Sequence, residues 1–218
     1  PNIAGGAFTD ITNAAVGGSF VTGGYTDLIS TAFASPIGGR MAWSGLSGGY
    51  INTVANLGSN VNGQTIKLRF RMASDNSVSG AGWRVDTIVV SGGCGPTPTP
   101  GPTGTPGGTP TATPSCSPTS QGFDDITTLP GLGWVQTNHS ATIGTTGWFQ
   151  GNDTVFPSQS GAPTSYIGAN FNNTTGTNPI SNWLLTPPIG LQNGATLTFW
   201  TRTTTANPLP DRLQVRMS

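Results

Sequence analysis

The chain contains no glutamate, one lysine (Lys67) and one histidine (His139). Seven arginines and eight aspartates supply the remaining charge, so only 7% of its 218 residues are charged and the formal net charge is zero. That balance gives no basic footprint for nucleic acid and no polybasic patch for an anionic membrane surface. No apolar run approaches the roughly 20 residues of a membrane span. Cysteine is scarce, with only Cys94 and Cys116, and no Cys/His cluster offers zinc ligands. Without glutamate, a pair of catalytic carboxylates must be two aspartates. Asp124 and Asp125 are sequence neighbours, and on an extended chain neighbours point to opposite faces. His139 sits in the polar run Thr137-Asn138-His139-Ser140, and no Gly-x-Ser-x-Gly elbow stands at an apolar strand-to-helix turn. The expectation is a chain that is not an enzyme.

What the chain has in quantity is Gly (33) and Pro (18), with Thr, Ser and Asn. A neutral chain with regular apolar alternation is expected to fold, since disorder pairs low hydrophobicity with high net charge. The alternation has the period of strands. In Thr65 to Met72, Ile66, Leu68, Phe70 and Met72 mark a core face, and Lys67, Arg69 and Arg71 a solvent face. Trp83 to Val90 is rich in β-branched residues. Ala14 to Tyr25 and Tyr50 to Leu57 predict shorter strands. Leu197 to Arg202 and Arg212 to Met217 alternate in the same way, around a loop at Asn207-Pro208-Leu209-Pro210-Asp211. Ser74 to Ser77 and Ser79 to Gly82 read as turns. No stretch carries a capped helical period. Trp134, Trp148 and Trp183 are expected as core or inter-sheet anchors. The expected fold class is all-β: two antiparallel β-sandwich segments joined by an extended linker.

That linker is the Thr/Pro/Gly-rich stretch 94–120, between segments 1–93 and 121–218. Nothing in it can build a core, and its composition favours an extended, semi-rigid chain. Cys94 and Cys116 stand at its two ends. A bridge within the chain would close the linker into a loop, and bridges between chains would suit a polymer. Thr97, Thr99, Thr103, Thr105, Thr109, Thr111 and Thr113 are candidates for O-linked sugar. Asn138, Asn152, Asn172 and Asn173 begin N-glycosylation triplets. The linker and the paired cysteine count point to an extracellular or cell-surface protein.

Four stretches of the second segment carry a family resemblance: Gly122-Phe123-Asp124-Asp125-Ile126, Thr146-Gly147-Trp148-Phe149-Gln150-Gly151, Ser181-Asn182-Trp183-Leu184-Leu185-Thr186-Pro187 and Asp211-Arg212-Leu213-Gln214-Val215-Arg216. They resemble the opening of a bacterial choice-of-anchor or cleaved-adhesin jelly roll. Gly63 to Arg71, Ser74 to Val78 and Gly82-Trp83-Arg84-Val85-Asp86 resemble the closing half of a related MAM-like module, as found at the tails of secreted peptidases. The closing motifs precede the opening ones. The chain therefore reads as the end of one sandwich, a linker and the beginning of another, so that 1–93 and 121–218 each need completing. Copies of the chain or neighbouring modules are the expected partners for that.

The resemblance also implies a calcium site near the first strand and the Trp-x-x-Asp motif, onto which Asp86, Asp124 and Asp125 map. Thr87 stands where a second aspartate is common. The alternative is that these aspartates cap turns and pair with arginines, with no cofactor. Trp43, Tyr50, Trp148, Phe149, Tyr166 and Trp200 are packing residues or a platform for surface polysaccharide. Two functions follow: a structural or adhesive subunit of a surface filament, fibre or matrix, or a carbohydrate- or surface-binding accessory part of a larger secreted enzyme such as a peptidase.

Overall fold

The computed structural model describes residues 7–92, 118–204 and 211–218. The linker positions Cys94, Cys116, Thr97, Thr99, Thr103, Thr105, Thr109, Thr111 and Thr113 lie outside these residues, as does 207–210 of the expected final loop. The first segment forms β1 (Thr9–Asp10), β2 (Ser19–Thr22), β3 (Asp27–Leu28), β4 (Met41–Ser44), β5 (Ile51–Asn56), β6 (Thr65–Ile66), β7 (Leu68–Ala73) and β8 (Trp83–Ser91). The second forms β9 (Thr119–Gln121), β10 (Val135–Asn138), β11 (Phe149–Gln150), β12 (Ile167–Ala169), β13 (Ser181–Leu185), β14 (Ile189–Gly190), β15 (Thr196–Thr203) and β16 (Arg212–Met217). Helical structure among the described residues is confined to short 3-10 turns.

The protein is all-β and antiparallel, with two seven-stranded sheets packed as a sandwich. One sheet runs β10-β13-β7-β16-β4-β3, with β1 also on β16. The other runs β11-β12-β8-β15-β5-β2, with β9 also on β8. The two incomplete segments complete one another. β7 of the first lies between β13 and β16 of the second, and β8 lies between β12 and β15. Pairings inside one segment, β2–β5, β3–β4, β10–β13 and β11–β12, lie towards the sheet edges. Completion within the chain thus replaces the expected completion by neighbouring modules. β9 pairs with β8 so that Val90 lies opposite Thr119. The described residues on either side of 93–117 are thus strand neighbours in one sheet.

The alternation of β7 explains its central place. Leu68, Phe70 and Met72 point inward, into a core shared by Trp43, Trp83 and Val85 from the first segment and Phe123, Leu184, Leu197, Phe199 and Val215 from the second. Phe199 receives the edges of Phe70 and Trp43 at centroid distances of 5.1 and 5.4 Å, at nearly right angles. Each such side chain stabilises by about 1.5–3 kcal/mol when fully buried. The core draws its members from both segments.

Several expectations need correction. The strand predicted at Thr65–Met72 breaks at Lys67, whose backbone exchanges hydrogen bonds with Ser218, because β6 pairs with β14 while β7 pairs with β16. Of Ala14–Tyr25, only Ser19–Thr22 is strand. The solvent face predicted for β7 is covered, with Arg69 and Arg71 only 6% and 9% exposed. Trp134 and Trp148 do enter the core, but Trp183 stands on the outer face beside those arginines, because Leu184 takes the inward position of β13.

Candidate functional site on the outer sheet faces

The outer face of the β13-β7-β16 sheet follows from strand register. One cross-strand row is Leu185, Arg69 and Arg216, and the next is Trp183, Arg71 and Gln214. Trp183, on β13, lies 4.3 Å from the Arg69 guanidinium carbon and 5.7 Å from that of Arg71. Phe8, just before β1 and therefore beyond β16, lies 4.3 Å from Arg69. His139 packs on Trp183 at a centroid distance of 4.2 Å. Ser181 Oγ accepts from Arg71 Nε and Nη2 at 3.1 and 2.8 Å and from Trp183 Nε1 at 2.9 Å. Burial, together with Arg71, Arg216 and Arg40 nearby, brings Arg69 down to about 10, and Arg71 is lowered to about 10 by burial beside Arg40 and Arg216. Both remain cationic at neutral pH.

The opposite outer face gathers aromatics around two other arginines. Phe156 stacks on Tyr166 at 5.1 Å, meets the edge of Tyr50 at 6.0 Å and lies 3.8 Å from the Arg202 guanidinium carbon. Arg202 also lies over Tyr50, and Arg84 over Phe149. The loop carrying Phe156 is fastened by Asp86, whose Oδ2 accepts from Gln159 N at 2.7 Å, while Tyr50 donates to Pro157 O. Burial raises the Asp86 carboxyl above its ordinary value. Asp86 faces outward by alternation from inward Trp83 and Val85, and the bulge at Thr87, with φ of 45°, then shifts the pattern so that Ile88 and Val90 turn inward. Tyr50, Phe149 and Trp200 are half-buried and offer ring surface at this face. Trp43, by contrast, is core, and Tyr166 and Trp148 are buried.

The three calcium candidates do not converge. Asp86 holds the loop just described. Asp124 Oδ1 accepts from Ser165 Oγ at 2.6 Å. Asp125 caps a 3-10 turn, accepting from Thr127 N at 2.9 Å and from its hydroxyl at 2.6 Å. Among the described residues no three His, Cys, Asp or Glu side chains gather as a metal site.

Of the asparagines, Asn173 is fully buried, and its amide donates to Thr146 O, Thr146 Oγ1 and Gly147 O, so it has no room for a sugar. Asn138 is tied to Thr146 O and Asn173 O. Asn152 is exposed, with its carbonyl accepting from Thr154. Asn172 is half-buried.

Gly45-Leu46-Ser47-Gly48-Gly49 matches the string of a nucleophile elbow, but it joins β4 to β5, two strands. Ser47 Oγ accepts from Thr203 N at 2.9 Å, which makes it a loop clasp.

The arginine–tryptophan layer was missed at the sequence level. Its signal was present as two arginines alternating in β7 opposite a tryptophan, but alternation does not report which strands become neighbours. Among the described residues no helix is long and apolar enough to cross a membrane. Comparison with family models, curated proteins and solved structures finds no match.

Proposed function

We propose that this chain is a non-catalytic extracellular adhesive module. The observation that carries the reading is the contrast between its reactive and its contact-forming side chains. The only histidine is packed on Trp183, and Asp86, Asp124, Asp125 and Ser47 are spent on fastening loops. The outer faces meanwhile layer arginines with aromatic rings and leave Arg202, Arg216, Tyr50, Phe149, Trp183 and Trp200 partly exposed, residue types enriched where protein surfaces make contacts. The Thr/Pro/Gly stretch and the two cysteines support a place outside the cell. The test is retention of the purified chain on immobilised cell-surface polysaccharide, with release of sugar assayed in parallel. Retention without hydrolysis supports the reading. Hydrolysis that His139→Ala abolishes refutes it.

One observation favours a second reading, a structural subunit that polymerises. The central strand pairings run between the two segments, so two chains can exchange segments and keep those pairings. Electron microscopy of native material tests this: a regular fibre supports it, and isolated monomers oppose it. Service as an accessory part of a larger secreted enzyme is compatible with the adhesive reading.

A further inference from the structure

Arg69 and Arg71 are 6% and 9% exposed, yet among the described residues neither has a carboxylate beside it. The charges acting on Arg69 are Arg71, Arg216 and Arg40, and those acting on Arg71 are Arg40 and Arg216. Asp10, opposite Arg216 at the rim, is already committed to Thr12 and the Tyr25 hydroxyl. A buried cation is costly unless it is paired, and like charges around it add to the cost. Stacking on Trp183 and Phe8 offsets only part of this. Arg69 Nε and Arg216 Nε also lack any hydrogen-bond partner. The two are cross-strand neighbours, about 4.8 Å apart in strand spacing. Asp10 acts on Arg216 as an opposite charge, but the unpartnered buried donors and the missing counter-charge at Arg69 and Arg71 call for an acceptor from outside.

We propose that this face binds an acidic glycan, with carboxylate or sulfate oxyanions seated along Arg69, Arg71 and Arg216 and Arg40 at the rim. The proposal rests on the adhesive reading and names its ligand class. Trp183 from the β13 side and Phe8 from the β16 side hold the Arg69 guanidinium in place, so its donors are positioned before a ligand arrives. Guanidinium groups recognise planar oxyanions through paired donors. A short line of cations on a sheet face suits a polymer carrying one charge per repeat. The zero net charge of the whole chain gives no long-range field to attract nucleic acid.

The test uses the full chain with four probes at fixed salt: polygalacturonate, dextran sulfate, neutral dextran and duplex DNA. Binding to polygalacturonate alone identifies a carboxylate ligand, and binding to dextran sulfate alone a sulfate ligand. Either outcome supports the site, as does binding to both acidic glycans, provided that dextran is not bound. Arg69→Gln and Arg216→Gln are each expected to weaken that binding by about tenfold or more. Arg216 is the less buried of the two, so its variant remains informative if Arg69→Gln fails to fold. The proposal is overturned if no acidic glycan binds, if folded Arg216→Gln binds as wild type, or if DNA binds as tightly. Equal binding to neutral dextran also overturns this site, while leaving the adhesive reading intact.

Discussion

Replacing Asp211 with asparagine should make the protein more stable at neutral pH. Asp211 is 4% exposed, at the start of β16. Its Oδ2 accepts from Gly80 N and Gly82 N, both at 2.9 Å, and its backbone carbonyl accepts from Trp83 Nε1. Its Oδ1 has no partner. Burial dominates and pushes the carboxyl up from 3.8 to about 6, against the opposing pull of the two amides and of Arg212 and Arg84. A folded value above the unfolded one means the proton binds more tightly in the folded state. The stabilisation is therefore complete below the unfolded value and is lost as pH rises through about 6. The difference corresponds to about 3 kcal/mol at most. Asparagine keeps an oxygen for the two glycine amides and removes the charge. Urea midpoints between pH 4 and pH 8 should show wild type losing stability across pH 4–7 relative to Asp211→Asn, which gains about 2–3 kcal/mol over wild type at pH 7. Asp86 adds a slope of the same sign to both proteins, so the difference between them is the informative quantity. Parallel pH curves, or an asparagine variant weaker at pH 7, would refute the reasoning.

A double-mutant cycle on Phe70→Leu and Phe199→Leu should give a coupling of about 0.5–1.5 kcal/mol, since the rings meet edge to face across the two segments; additive effects would deny that contact. Gly82→Ala should destabilise by about 2–4 kcal/mol in thermal or urea melts, because φ is +77° and a Cβ would stand 1.7 Å from Ala169 O. Exchanging the 28 residues between Val90 and Thr119 for a four-residue turn should leave a monomer stabilised under reducing conditions by about 1.7 kcal/mol of loop-closure entropy, measured by urea unfolding. Intact mass with and without reductant should reveal one Cys94–Cys116 bridge within the monomer, because each cysteine lies only a few residues from the paired Val90 and Thr119; a reduction-sensitive dimer would argue for bridges between chains.

Much of the local structure was legible. The alternation in β7, β15 and β16 located those strands and their inward residues, because period two is a local property. The neighbours of each strand were not legible. Whether β7 pairs with β13 or with a strand of another chain depends on the path between Val90 and Thr119, and the composition of that path says nothing about where it returns. Arg69 and Arg71 were assigned to water for the same reason. A polar face meets solvent only if nothing is laid across it, and Trp183 and Phe8 arrive from distant positions. The reading of two half-sandwiches, each completed from outside, put the missing strands in other modules, whereas β7 and β8 find them in β12, β13, β15 and β16 of the same chain. Asp86, Asp124 and Asp125 were grouped as calcium candidates by resemblance, but the hydroxyl and amide donors that each of them holds became visible only in three dimensions.

The central claim is that 1–93 and 121–218 build one sandwich by interleaving their strands. Cutting the folded full-length chain at a protease site introduced within 96–114, under reducing conditions, tests it most directly. The account predicts that the two pieces stay together as a one-to-one complex through native size exclusion, with an unchanged far-UV spectrum, and separate only in denaturant. Pieces that part under native conditions, each keeping its own β structure, would contradict it.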